Sequence, residues 1–161
     1  VTGEKRLSYR STLAAIGAYL DRQQLQELVL CELDDGYVIR ARQSDDSIGA
    51  IALEYEDLNE LAERSAGAAG NRGSTPPPSE AQSVLVRAVG AYSEFLDALG
   101  RQCDLLRAQT LAVVELADHV LVTFRRPIPS GEVVWREYLY DVPGIQQILF
   151  SGGAPPGGIG D

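Results

Sequence analysis

Residues 9–42 and 92–125 of this 161-residue chain are two copies of one segment, aligned without a gap at an offset of 83. Eleven of the 34 aligned positions are identical, where unrelated segments would share roughly two. The pairs are Tyr9/Tyr92, Leu13/Leu96, Ala15/Ala98, Gly17/Gly100, Asp21/Asp104, Gln26/Gln109, Leu28/Leu111, Glu32/Glu115, Leu33/Leu116, Asp35/Asp118 and Arg42/Arg125. A duplication restricts the fold, because each copy is one supersecondary unit that finishes burying itself against its twin.

The pattern inside each copy sets the unit. Leu13, Ile16, Gly17 and Leu20 follow helical spacing, as do Val89, Leu96, Leu99, Gly100, Cys103 and Leu106. The first helix is expected from about Ser8 to Gln24. The second is expected from about Glu80 to Leu106, opened by Pro76-Pro77-Pro78 and a capping-box spacing of Ser79 with Gln82. Leu28–Leu33 and Tyr37–Arg42 flank Asp34-Asp35-Gly36, a hairpin signal because Asp-Gly tolerates positive φ. Leu111–Leu116 and Val120–Arg126 repeat the pattern around Ala117-Asp118-His119. A third strand follows in each half, Ile48–Tyr55 and Val133–Tyr140, and then a short helix, Leu58–Ser65 and Ile145–Phe150.

The sequence therefore predicts an α+β fold built from a duplicated α-β-β-β-α unit. The copies are expected to pack as a pseudo-twofold dimer with antiparallel sheet, paired edge to edge or face to face. The expected organisation is a first repeat over residues 1–65 and a flexible Gly/Ser/Pro linker over 66–78. A second repeat over 79–150 and a disordered Gly/Pro tail over 151–161 complete it. The element order also resembles that of double-stranded RNA-binding domains. The resemblance is one of topology: those domains carry a lysine-rich start to the last helix, and here Asp57-Leu58-Asn59-Glu60 and Asp141-Val142-Pro143-Gly144 stand there.

The net charge of −9 argues against a nucleic-acid or anionic-membrane binder, since both need a cationic footprint. No apolar run reaches the ~20 residues of a membrane-spanning helix. The start of the sequence lacks the apolar stretch of a secretory signal, so cytoplasmic residence is expected.

Alternation then assigns faces. Leu28, Leu30, Glu32, Tyr37, Ile39 and Ala41 share one face of the first hairpin, and Val29, Cys31, Leu33, Val38, Arg40 and Arg42 the other. The equivalent core face of the second hairpin is Leu111, Val113, Glu115, Val120, Val122 and Phe124. Glu32 and Glu115 are thus matched carboxylates on an apolar face. Symmetry could bring them together as an acid–base or metal-binding pair, or each could sit near a strand end where it caps a backbone donor. Arg40, Arg42, Arg125 and Arg126 are a second candidate: a cationic band for a phosphate, a carboxylate or an acidic partner, or ion pairs with local acids such as Glu54 and Glu56.

Asp34-Asp35 and Asp45-Asp46 lack the spaced ligands of a calcium loop and read as turns. His119, the single histidine, sits in a turn, so no Ser–His–Asp, Cys–His or zinc site is expected. Cys31 and Cys103 read as buried free thiols. Gly17 and Gly100 imply close approach of a neighbouring backbone. Phe95, Phe124, Trp135, Tyr138, Tyr140 and Phe150 make the second copy the richer in aromatics, with core preferred over a recognition surface.

No catalytic, cofactor or metal site stands out. The expected function is non-enzymatic protein binding or adaptor activity, by a monomer or homodimer. The alternatives are regulation by an anionic small molecule through the arginine band and, last, an enzyme using Glu32 and Glu115.

Overall fold

The computed structural model describes residues 8–23, 25–43, 47–58, 60–61 and 83–150. Helix α1 (Tyr9–Gln23) leads into β1 (Gln26–Leu33), β2 (Gly36–Arg42) and β3 (Ile48–Glu54), and residues 55–58 turn helical again. The second half runs α2 (Val84–Val89), α3 (Tyr92–Leu106), β4 (Gln109–Glu115), β5 (Val120–Pro127), β6 (Val133–Tyr140) and α4 (Val142–Phe150). The expected linker over 66–78, the tail over 151–161, Ser79, Gln82 and Asp45-Asp46 lie outside the described residues.

The six strands form one antiparallel sheet in the order β3-β2-β1-β4-β5-β6. The two halves therefore join edge to edge, through β1 and β4. Leu30 pairs with Val113 across that junction, flanked by Val29 with Val114 and Cys31 with Ala112. Residues 30 and 113 are equivalents in the repeat, so a pseudo-twofold axis passes between them, normal to the sheet.

The described helices lie on one face. Their apolar stripes meet the face predicted as core: Leu13, Ile16, Leu20, Phe95, Leu96 and Leu99 pack over Leu28, Leu30, Ile39, Leu111, Val113, Val122 and Phe124, each nearly or fully inaccessible. Phe95 meets Tyr140 edge-on at 5.9 Å, and Phe124 lies 5.6 Å from Tyr138. Most second-copy aromatics are thus core, as expected, but Trp135 is not.

The duplication explains the crossing of α1 and α3. A Cβ on Gly17 would fall 2.5 Å from Ser93 Cα, and one on Gly100 would fall 2.5 Å from Arg10 Cα. Residues 10 and 93 are again equivalents, so each glycine admits the other copy's first helical turn. The close approach carries a second reciprocal contact. Asp21 accepts from the N–H groups of Tyr92 at 2.8 Å and Ser93 at 3.2 Å; Asp104 accepts from those of Tyr9 at 2.9 Å and Arg10 at 3.1 Å. Ala91, which precedes α3, has no side-chain cap of its own. Each aspartate therefore supplies both N-terminal hydrogen bonds and a charge matched to the helix dipole, an interaction worth about 1 kcal/mol or more per helix.

The long helix expected from Glu80 to Leu106 is in fact two. Gly90 takes φ 88 as the left-handed C-cap of α2, donating to Val86 O, and Ala91 is extended before α3 begins. Apolar residues keep helical spacing across this break, which hides it from a periodicity reading. The N-cap of α2 is Ser83, whose hydroxyl accepts from Val86 N. The last helix starts at Val142, three residues before expected, where Asp141 Oδ1 accepts from Gly144 N at 2.8 Å.

Candidate functional site

Glu32 and Glu115 are given their roles by a pair of matched β-bulges. In the β1–β2 ladder Gln26 pairs with Arg42 and Val29 with Arg40, so Glu27 and Leu28 together oppose one residue. In the β4–β5 ladder Gln109 pairs with Arg125 and Ala112 with Thr123, so Thr110 and Leu111 do the same. The bulged Glu27 and Thr110 sit at φ 57 and 53, uncommon for residues with a side chain. Each bulge releases one backbone N–H from its ladder, that of Leu28 or Leu111.

The other copy's glutamate takes it. Glu115 Oε1 accepts from Leu28 N at 2.8 Å, and Glu32 Oε1 accepts from Leu111 N at 2.9 Å. The tyrosine that opens each copy's first helix donates to the same oxygens: Tyr92 to Glu115 at 2.7 Å and Tyr9 to Glu32 at 2.5 Å. Glu115 Oε2 also accepts from Leu85 N at 3.0 Å, at the start of α2. Burial raises both phenols above their usual range, followed for Tyr92 by the charge of Glu115 and for Tyr9 by its bond to Glu32. Both tyrosines stay protonated and remain donors.

The structure does not bring the two carboxylates together. Glu115 lies opposite Leu28, four positions along β1 from Glu32, so their backbones are about 13 Å apart along the strand. Each carboxylate instead closes the junction between copies: it caps a backbone donor, but the donor belongs to the other copy rather than to its own strand end.

The arginines are likewise separated. Arg40 and Arg42 stand on β2, and Arg125 stands on β5, three strand spacings away and toward the other end of the sheet, roughly 20 Å distant. Arg42 faces Glu27 at 3.2 Å, on β1 rather than at Glu54 or Glu56. The Arg125 guanidinium lies 5.8 Å from the centroid of the Trp135 ring, and Arg126 alternates to the helix-bearing face. There is no single band. Arg40 and Arg42 line a groove of about 710 Å³ with Arg87, Val29, Ile48, Val84, Leu116 and the acidic Glu27 and Asp118. Arg87 in turn lies 3.7 Å from Asp118.

Cys103 is buried, as expected, and burial pushes its thiol well above the usual range. Cys31 is only half-buried, on the opposite face of the sheet. Among the described residues no group of three or more His, Cys, Asp or Glu side chains is placed to hold a metal ion. No described helix is long and apolar enough to cross a membrane.

The sheet face away from the helices is a feature that alternation within one hairpin does not reveal. Among the described residues no element lies over it, and antiparallel sheets with one open side ordinarily make that side polar. Here Val29, Cys31, Val38, Ala112, Val114 and Leu121 share its centre with Arg40 and Thr123, and around them Leu33, Ile48, Leu116, Trp135 and Leu139 are exposed by 47% to 60%. Arg40, Arg42, Arg125, Glu54 and Glu137 stand among or around them. The repeat contained a signal for this surface. The other apolar identities, Leu13/Leu96, Ala15/Ala98 and Leu28/Leu111, are all core, whereas Leu33 and Leu116 are each 47% exposed. Burial within the chain does not account for that matched pair.

Searches against protein-family models, curated proteins and solved structures found no match for this chain.

Proposed function

We propose that the protein works by binding protein, and that the open face of its six-stranded sheet is the contact surface. The observation that carries this reading is the pair Leu33 and Leu116, repeated in both copies yet exposed, within a sheet face whose centre holds six aliphatic or thiol side chains beside Arg40 and Thr123. Contiguous exposed apolar area of this extent, rimmed by charge, is the usual mark of an interaction surface. Trp135 with Arg125 adds the aromatic–arginine combination that supplies much of the energy of protein interfaces. The anionic-ligand reading has less behind it, because Arg42 and Arg87 already face Glu27 and Asp118.

A photo-reactive side chain in place of Leu116 tests the reading, with one in place of the exposed Arg22 at the end of α1 as control. The expected result in cells is a discrete polypeptide adduct from position 116 and none from position 22. Equal yields at the two positions, or no adduct at either, would refute it.

A further inference from the structure

We infer that the occupant of the open face is a second copy of this chain, packed sheet on sheet. The inference rests on that face being the contact surface, and three features of the face support it.

The first is size. Six strands about 4.8 Å apart, each offering about seven residues at about 3.3 Å, give a footprint of roughly 29 by 23 Å. Two such faces together bury upwards of about 1,300 Å², within the range of stable specific interfaces.

The second is charge. The chain carries a net −9, yet Arg40, Arg42 and Arg125 on this face are matched by Glu27, Glu54 and Glu137. Two copies meeting elsewhere would bring acid to acid. Meeting here, they bring a balanced face to a balanced face.

The third is register. A twofold axis parallel to the strands, through the Leu30–Val113 centre, lays β1 on the second copy's β4, β2 on β5 and β3 on β6. Near the centre Val29 then meets Val114 and Cys31 meets Ala112, and farther out the larger Leu139 meets the small Ala50. Sheets packed about 10 Å apart and rotated by about 30° shift opposing rim residues by several ångströms. Arg125 still lies beside Glu54 of the second copy, and Arg40 comes within a long side chain's reach of Glu137. The exposed charges of each copy are thus brought within reach of opposite charges on the other.

Two residues report on this face directly. Trp135 is the single tryptophan, and Cys31 stands at the centre of the face while Cys103 is inaccessible. For the full chain, sedimentation should give a dimer at tens of micromolar. Dilution should shift the tryptophan emission to longer wavelength and speed maleimide labelling of Cys31 at least tenfold. Val114→Arg, at the centre, and Leu121→Arg, set against the second copy's Arg40, should each yield a monomer that labels fast at every concentration; the second serves if the first misfolds.

A dimer that survives both substitutions, with Cys31 labelling unchanged, would overturn the inference. So would a monomer with flat emission and labelling across concentration. In that case an adduct from position 116 to a different polypeptide would leave the protein-binding reading standing, and no adduct would remove both.

Discussion

Glu115→Ala is expected to lower stability by about 3 kcal/mol or more, since a buried donor left without an acceptor costs about 1–3 kcal/mol. Three donors converge on that carboxylate, the N–H groups of Leu28 and Leu85 and the phenol of Tyr92, and the residue is 7% exposed. Water entering from the adjoining groove offsets part of the loss, which is why the sum stays well below three full penalties. For a chain of this size the midpoint of thermal unfolding should fall by roughly 10 °C. Glu115→Gln keeps one acceptor oxygen and turns an NH₂ toward a donor, so it should cost less than alanine. Glu32→Ala should be milder still, at about 1–2 kcal/mol, because two donors rather than three depend on Glu32 and the site is only half-buried. Chemical denaturation of the three variants checks the order. If Glu32→Ala proved the most damaging, the convergence of donors would not be what sets the cost.

Gly100→Ala should also destabilise, against the direction that helix propensity alone predicts. Propensity favours alanine by about 1 kcal/mol inside a helix. The added methyl, however, would stand 2.5 Å from Arg10 Cα and 2.8 Å from Tyr9 O, both backbone atoms that no rotamer change can move aside. The helices must separate, loosening the bonds from Asp104 to the Tyr9 and Arg10 N–H groups. Overpacking costs about 1–3 kcal/mol and sometimes more, and a clash with backbone falls at the upper end, so after the propensity gain a net loss of about 1–2 kcal/mol is expected. Gly17→Ala should match it, because its methyl would meet Ser93 Cα at the same 2.5 Å. A gain in stability at either position would mean that α1 and α3 do not touch there.

The parts of this fold that were legible in the sequence are those set by local periodicity and by the repeat. Alternation along Leu28–Leu33 and Val120–Phe124 assigned the core face, and Asp35-Gly36 marked the turn between β1 and β2. The two helical glycines announced a close contact. What stayed hidden depends on residues far apart in the chain. Asp21 and Asp104 look like ordinary surface acids until each is seen capping a helix more than 70 residues away. Glu27 and Thr110 are not residue types that announce a positive φ, so neither bulge could be read, nor could the amides they release to Glu115 and Glu32. The break at Gly90 escaped because hydrophobic spacing continues through it.

The open face was half legible. Val29, Cys31, Leu33 and Val38 already shared a side by alternation, but their arginine neighbours made that side look polar. Only the sheet order, which sets Val29 and Cys31 against Val114 and Ala112, turns two mixed hairpin faces into one apolar centre. The same symmetry that closes the helix layer thereby concentrates apolar surface on the other side.

Two copies of one unit lock into a single cooperative body through bonds each gives the other. Native-state hydrogen exchange at Leu28 and Leu111 is the measurement that decides whether they do. Amides in β-bulges commonly exchange through small local openings. Here both are donated to the other copy's buried carboxylate, so both should exchange only with global unfolding, at the same free energy. Glu115→Ala should strip the extra protection from Leu28. Fast exchange of either amide in the native protein, insensitive to denaturant, would contradict the lock.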